Sequence, residues 1–143
     1  MKYLWDSNVL RHYLDDHPLL LENLKKVNRQ DVLLPVVVVA EQFRGRMDAL
    51  VKAEPSYLIR AQQHFQKTQR VLSKFQILYF DEKSLGLVSQ LTERFKTRKR
   101  YADVLIAAQA LASRCILVTR NTADFRDFLP PQQLQNWVDE PIS

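Results

Sequence analysis

Four acidic residues stand where a carboxylate could do chemistry: Asp6, Glu41, Asp103 and Asp124. Asp6 follows directly on an apolar run in "KYLWDSNVL", which raises the question of why a charge is placed there. Carboxylates gathered at one place can move protons, hold a hard cation through oxygen, or attack as nucleophiles. Each also has a plain structural job. Asp6 could help cap the next helix, for which Ser7 or Asn8 is the expected N-cap. Asp103 and Asp124 could favour a helix N-terminus through its dipole, and Glu41 could pair with Arg44 one turn along. Singly, those jobs suffice. Whether they suffice jointly depends on where the surrounding elements put the four acids.

The pattern alternates strands and helices. Residues 2–5 read as a strand, followed by helices near 8–14 and 18–28, the second opened by Pro18. Residues 32–34 read as a second strand ending at Pro35. The next stretch, "PVVVVAEQF", is ambiguous: the valines have strand propensity, yet Val39, Phe43, Met47, Leu50 and Val51 keep helical spacing. A polar helix is expected over 56–74, with Leu58, Phe65 and Leu72 on its apolar side. Strands at 76–80 and 115–119, helices at 82–98 and 102–113, and a possible fifth strand at 134–138 complete the chain. Strands separated by helices imply crossovers, hence an α/β fold with a mainly parallel sheet of four to five strands and helices on both faces. All four acids then fall just past strand ends or at helix starts, on one carboxyl edge, where open sheets bind ligands.

Composition narrows the chemistry. The 143 residues, 46% apolar and 26% charged, suit one globular domain over 1–143. No apolar stretch approaches the ~20 residues of a membrane span, and "VLLPVVVVA" is broken by Pro35. The first residues lack a secretory leader pattern, and the single cysteine, Cys115, lies in an apolar run, so a buried thiol in a reducing cytoplasm is expected. Two glycines, Gly45 and Gly86, exclude phosphate-binding glycine loops. One cysteine and three scattered histidines give no zinc-ligand spacing, which argues against a zinc site, and no nucleophile elbow is present. A phosphatase using Asp6 as nucleophile would want a second Asp two residues on, where this chain has Asn8. Formal charge is +5, concentrated in "KTRKR" at 96–100, a run that either solvates a helix end or neutralises phosphates.

The segments "LWDSNVL", "VVVVAEQFRGR", "YADVLIAAQAL" and "LVTRNTADF" occur in the order of PIN-domain signatures, and the chain resembles the VapC-type toxin ribonucleases of bacterial toxin–antitoxin pairs. The resemblance spans about residues 2–138. It implies that Asp6, Glu41 and Asp103 are the family's three invariant-type acids, and that "PVVVVAEQF" is a helix. Successive separations are 35 residues from Asp6 to Glu41, 62 from Glu41 to Asp103 and 21 from Asp103 to Asp124. Two departures stand out. Where the family supplies a fourth acid, this chain offers neutral Asn121 before Asp124, which leaves one or two metals open. The family often has a glycine before the third acid, where this chain reads "RKRYAD", so Arg100 and Tyr101 either narrow the cleft or are packing substitutions.

What the resemblance implies agrees with the residue chemistry. Asp6, Glu41, Asp103, Asn121 and Asp124 offer oxygen ligands suited to Mg²⁺ or Mn²⁺, which would activate water against an RNA phosphodiester. Lys96, Arg98, Lys99, Arg100 and Arg120 would guide the RNA backbone. A cognate antitoxin is the implied protein partner, with apolar surface near 8–28 and 56–75 available to it or to an expected homodimer. The alternative is a non-catalytic nucleic-acid- or partner-binding module on the same fold. The basic run gives a first test. Replacing Lys96 and Lys99 with Gln should weaken RNA binding about equally for unrelated sequences, and flatten the log–log salt slope by roughly 0.7 per lost contact. Filter binding over a salt series measures both.

Overall fold

Why the chain turns where it does follows from β1, Tyr3–Trp5, which is central and packed on both sides. This structure, a computed structural model, describes residues 1–95 and 100–143. The expected RNA contacts Lys96, Arg98 and Lys99 therefore lie outside the described residues. After β1 come α1 (Ser7–Leu14), α2 (Pro18–Leu24), β2 (Val32–Pro35), α3 (Val36–Lys52), α4 (Leu58–Leu72) and β3 (Gln76–Leu78). Then follow α5 (Glu82–Phe95), α6 (Tyr101–Ser113), β4 (Ile116–Val118), α7 (Thr122–Phe125) and β5 (Leu134–Gln135). The five strands form one sheet in the order β3-β2-β1-β4-β5, with every neighbouring pair parallel. The expected α/β class holds.

Parallel neighbours require crossovers, and crossovers are right-handed. The connections from β1 outward to β3 therefore run along one face and those returning to β4 and β5 along the other. Contacts agree: α1 packs on α2 and α3, and α3 on α4, whereas α5 packs on α6 and α6 on α7. Since the order reverses between β1 and β4, a crevice opens there above the carboxyl ends.

Several boundaries differ from the pattern-based expectation, each for a local reason. The residue that caps α1 is Asp6, as the structural reading of that acid allowed, rather than Ser7 or Asn8: its carboxylate accepts the Val9 N–H. Helix α2 stops at Leu24 rather than near 28. Its last turn tightens through Lys26 and Val27, and Asn28 caps a new 3₁₀ turn at Arg29–Asp31. The valines after Pro35 are helical because β2 has already filled its slot between β1 and β3, and Val38 and Val39 are buried on leaving it. The apolar spacing overreached, however: Met47 and Val51 are exposed, as is Leu58, whereas Phe65 packs on Phe43 and Leu72 is buried. Strand β5 ends at Gln135, since the Asn136 side chain accepts the N–H groups of Val138 and Asp139 and turns the chain away. Strand β3 ends at Leu78, leaving Tyr79 and Phe80 exposed. Cys115 is buried, and burial pushes its thiol pKa up.

One core cluster runs through the sheet, with Trp5 against Tyr13, Phe75 and Trp137 at ring distances of 5.4, 5.4 and 6.0 Å. Among the described residues no helix is long and apolar enough to cross a membrane. The chain end beyond β5 is locked to α2 by Asn23, which is fully buried. Its amide nitrogen donates to Trp137 O at 2.9 Å and Glu140 O at 2.8 Å, and its oxygen accepts the Ile142 N–H at 2.9 Å. Asn23→Ala removes three main-chain partners at once, one buried and two partly buried, and should cost about 2–4 kcal/mol. The fall in the urea midpoint, at unchanged slope, measures it.

Candidate active site

Asp6 is both a helix cap and a lining residue of a cleft. It leaves β1 with extended backbone and is only 4% exposed. Its Oδ1 accepts the Val9 N–H at 3.2 Å and its Oδ2 accepts Asn8 Nδ2 at 3.0 Å. The Thr119 hydroxyl, fully buried at the end of β4, is a further hydrogen-bond partner. Burial pushes the Asp6 carboxyl up to about 6, and the charge of Asp103 adds to the rise. Hydrogen bonds from the Thr119 side chain and from the main chain of Val9 and Asn8 oppose it. A carboxylate that capped a helix end in open water would face no such penalty.

The other residues arrive from three elements. Glu41 lies in the second turn of α3, Asp103 in the first turn of α6, and Asn121 and Asp124 flank the start of α7. Together with Asp6 they line one cleft of about 300 Å³ at the crevice between β1 and β4. Asp103 is half-buried, while Glu41 and Asp124 are exposed. Neither of those two has a side-chain hydrogen bond or ion pair among the described residues, so the expected Glu41–Arg44 pair does not form. Arg100 also lines the cleft, and Tyr101 beside it is 61% exposed, so neither is a packing substitution.

Arg120 behaves differently from the expectation of a free phosphate contact. Its guanidinium donates to both Asp139 oxygens, at 3.0 and 3.2 Å, and does not line the cleft. Three contributors escaped the sequence reading. Thr119 carried the same signal as Asp6, a polar residue closing an apolar strand. Asn8 was legible only as a cap, because its partners come from β1 and from the turn after β4. Arg11 lines the cleft one helical turn beyond Ser7.

The donor set fits a hard divalent cation. The oxygens of Asp6, Glu41, Asp103, Asp124 and Asn121 are all hard donors, and a cation would relieve the crowding of Asp6 and Asp103. Among the described residues, no three acidic, imidazole or thiol groups already stand in metal-ligand geometry. The structure thus has a shared acidic cleft rather than a finished coordination sphere.

The PIN domain family model matches residues 3–128. No curated protein matches the sequence. Solved structures similar to this one include a toxin–antitoxin complex from Klebsiella pneumoniae, at TM-score 0.71 and 20% identity, covering 99% of this chain and 100% of that one. VapBC-1 from nontypeable Haemophilus influenzae aligns at TM-score 0.77 and 19% identity, covering 97% and 100%. VapBC2 from Rickettsia felis, bound to a DNA fragment from their promoter, aligns at TM-score 0.72 and 27% identity, covering 96% and 99%.

The raised Asp6 pKa makes a stability prediction whose sign is opposite to the usual carboxylate case. The folded state holds the Asp6 proton more tightly than the unfolded chain, so its contribution is complete below pH ~4 and is lost as pH rises through about 6. Asp6→Asn keeps an oxygen for the Val9 cap and removes the buried charge. In EDTA at pH 8 the variant should be more stable than wild type by up to about 3 kcal/mol, with no difference near pH 4. Thermal melts across that range measure it.

Proposed function

The chain belongs to the PIN domain family, and we propose that it is a metal-dependent endoribonuclease, the toxin of a toxin–antitoxin pair. The observation that carries this reading is the convergence of Asp6, Glu41, Asp103 and Asp124, with Asn121, on one cleft at the sheet's switch point. Four separate elements deliver those groups, which helix capping does not require.

Bound Mg²⁺ or Mn²⁺ would supply charge stabilisation for a phosphodiester and a more acidic water. The residues supply the rest. The charge of Asp103 acts on Asp6, so these two acids would hold the cation between them. Glu41, exposed and without a side-chain partner among the described residues, is open to receive the proton that attacking water releases. Asn121 and Asp124 complete the donor set from the far side of the crevice. Arg11 and Arg100 on the cleft wall would bind the phosphates that flank the scissile one. Arg120 would join them only by exchanging Asp139 for phosphate, a small cost for an exposed pair.

A protein partner fits the same picture. Met47, Val51, Tyr57, Leu58 and Ile59 are exposed where α3 turns into α4, an apolar surface suited to a cognate antitoxin or to a second copy of the chain. An antitoxin that placed a basic side chain in the acidic cleft would take the cation's position. A cytoplasmic location accords with a buried free thiol and an RNA substrate.

Cleavage of RNA by the purified protein should require Mg²⁺ or Mn²⁺, stop in EDTA, and not be restored by Ca²⁺, whose looser coordination orients water poorly. Asp103→Asn should lower the rate by about 100-fold or more, and Glu41→Gln should also be severe. Asp124→Asn should lose no more than about 10-fold, since Asn121 can share its place. Gel assays on a labelled RNA measure these rates, and undiminished cleavage in chelator would remove the metal mechanism.

A further inference from the structure

Asn8 joins the two turns that build the cleft. Its Nδ2 donates to Asp6 Oδ2 at 3.0 Å, while its Oδ1 accepts the main-chain N–H of Arg120 at 3.2 Å. The second bond fixes the sense of the first. A flipped amide would set Nδ2 against an N–H donor and Oδ1 against a carboxylate, so one orientation alone satisfies both ends. The Asn8 carbonyl is itself held by His12 Nδ1 at 2.7 Å, one helical turn on. Each Asp6 oxygen thereby has a fixed donor, Val9 N–H on Oδ1 and the Asn8 amide on Oδ2. On the other side, Arg120 is anchored twice, by its main chain to Asn8 and by its guanidinium to Asp139. The next residue is Asn121, whose N–H is held by Thr119 Oγ1 at 3.0 Å.

We infer that Asn8 is a positioning residue, which sets the rotation of the Asp6 carboxylate and the placement of the turn that carries Asn121 and Asp124. Its kinetic consequence rests on the ribonuclease reading; the clamp itself does not. Two substitutions separate the arms. Asn8→Ala removes both bonds. Asn8→Asp keeps an oxygen for the Arg120 N–H but replaces the donor facing Asp6 with a second carboxylate oxygen at the same 3.0 Å.

Hydrogen exchange of the Arg120 amide, followed by NMR, should quicken by about 10-fold or more in Asn8→Ala and stay near wild type in Asn8→Asp. In Mn²⁺ titrations, the ion concentration that half-broadens the Asp6 and Asp124 amide signals should rise about 10-fold in Asn8→Ala. Well below the melting temperature, both variants should lose 10- to 100-fold in kcat with KM for RNA within about 2-fold of wild type. A merely structural asparagine would lower the melting temperature while leaving kcat and the Mn²⁺ response unchanged, and that result overturns the inference. Unchanged Arg120 exchange in Asn8→Ala overturns it as well. Should wild type cleave no RNA, the ribonuclease reading fails by itself, and exchange and Mn²⁺ broadening still decide the role of Asn8.

Discussion

A carboxylate kept out of water at the end of the central strand is the constraint around which this cleft is arranged. Asp6 occupies the crevice between β1 and β4, where the parallel register pairs Trp5 with Val118 and continues as the Asp6 N–H bonds Val118 O at 3.2 Å. That register brings Thr119 level with Asp6. A buried charge needs donors, and here they come from the first turn of α1 and from the turn after β4. Both turns must therefore be built correctly before the acid can be held. The burial of Trp5, Val118 and Trp137 beneath it supplies the rigid floor.

The same arrangement explains what could be read from sequence and what could not. Alternation of strands and helices was legible, because burial imposes a period and each element shows it locally. So were Asp6, Glu41, Asp103 and Asp124, since an acid just past an apolar strand or at a helix start stands out by type and place. Thr119 and Asn8 did not, because their roles depend on which residue lies across from them in the sheet, and a single chain carries no such pairing. The PIN-domain resemblance decided the helix after Pro35 where propensity pointed the other way. It could not decide that Asp139 holds Arg120, a contact between the end of β4 and the residues beyond β5. Ends of elements were misjudged for a related reason. The stop at Gln135 depends on one asparagine side chain turning back on its own backbone, which no hydrophobic period records.

In the proposed nuclease, attraction for a polyanion and chemistry on it fall to different residues. The chain is basic overall, yet the cleft is acidic, so a phosphate backbone is drawn to the protein by one set of charges and repelled by another. Arg11 and Arg100 lie on the cleft wall itself and reduce that conflict locally. Arg120 does not line the cleft, and its guanidinium rests on Asp139, whose carboxyl Asn136 and Arg120 together hold below its usual range. A divalent cation would resolve what remains by reversing the sign of the cleft at the point where the proposed phosphate substrate would sit.

On the proposed reading, stability and function oppose each other at a defined place. Desolvation of Asp6 costs the apo fold at neutral pH, and that same desolvation strengthens the acid's interaction with any cation it meets. An asparagine would satisfy the cap and the packing while removing the charge, so packing alone gives no reason for aspartate here. The cost is tolerable because the rest of the strand is apolar and fully enclosed, and because the hydrogen bonds around Asp6 limit how far its pKa climbs. With fewer donors the acid would stay protonated near neutrality and bind no cation; with more water it would need no donors and would be poorly fixed. The cleft lies between those limits, and Thr119, Val9 and Asn8 are the groups that keep it there.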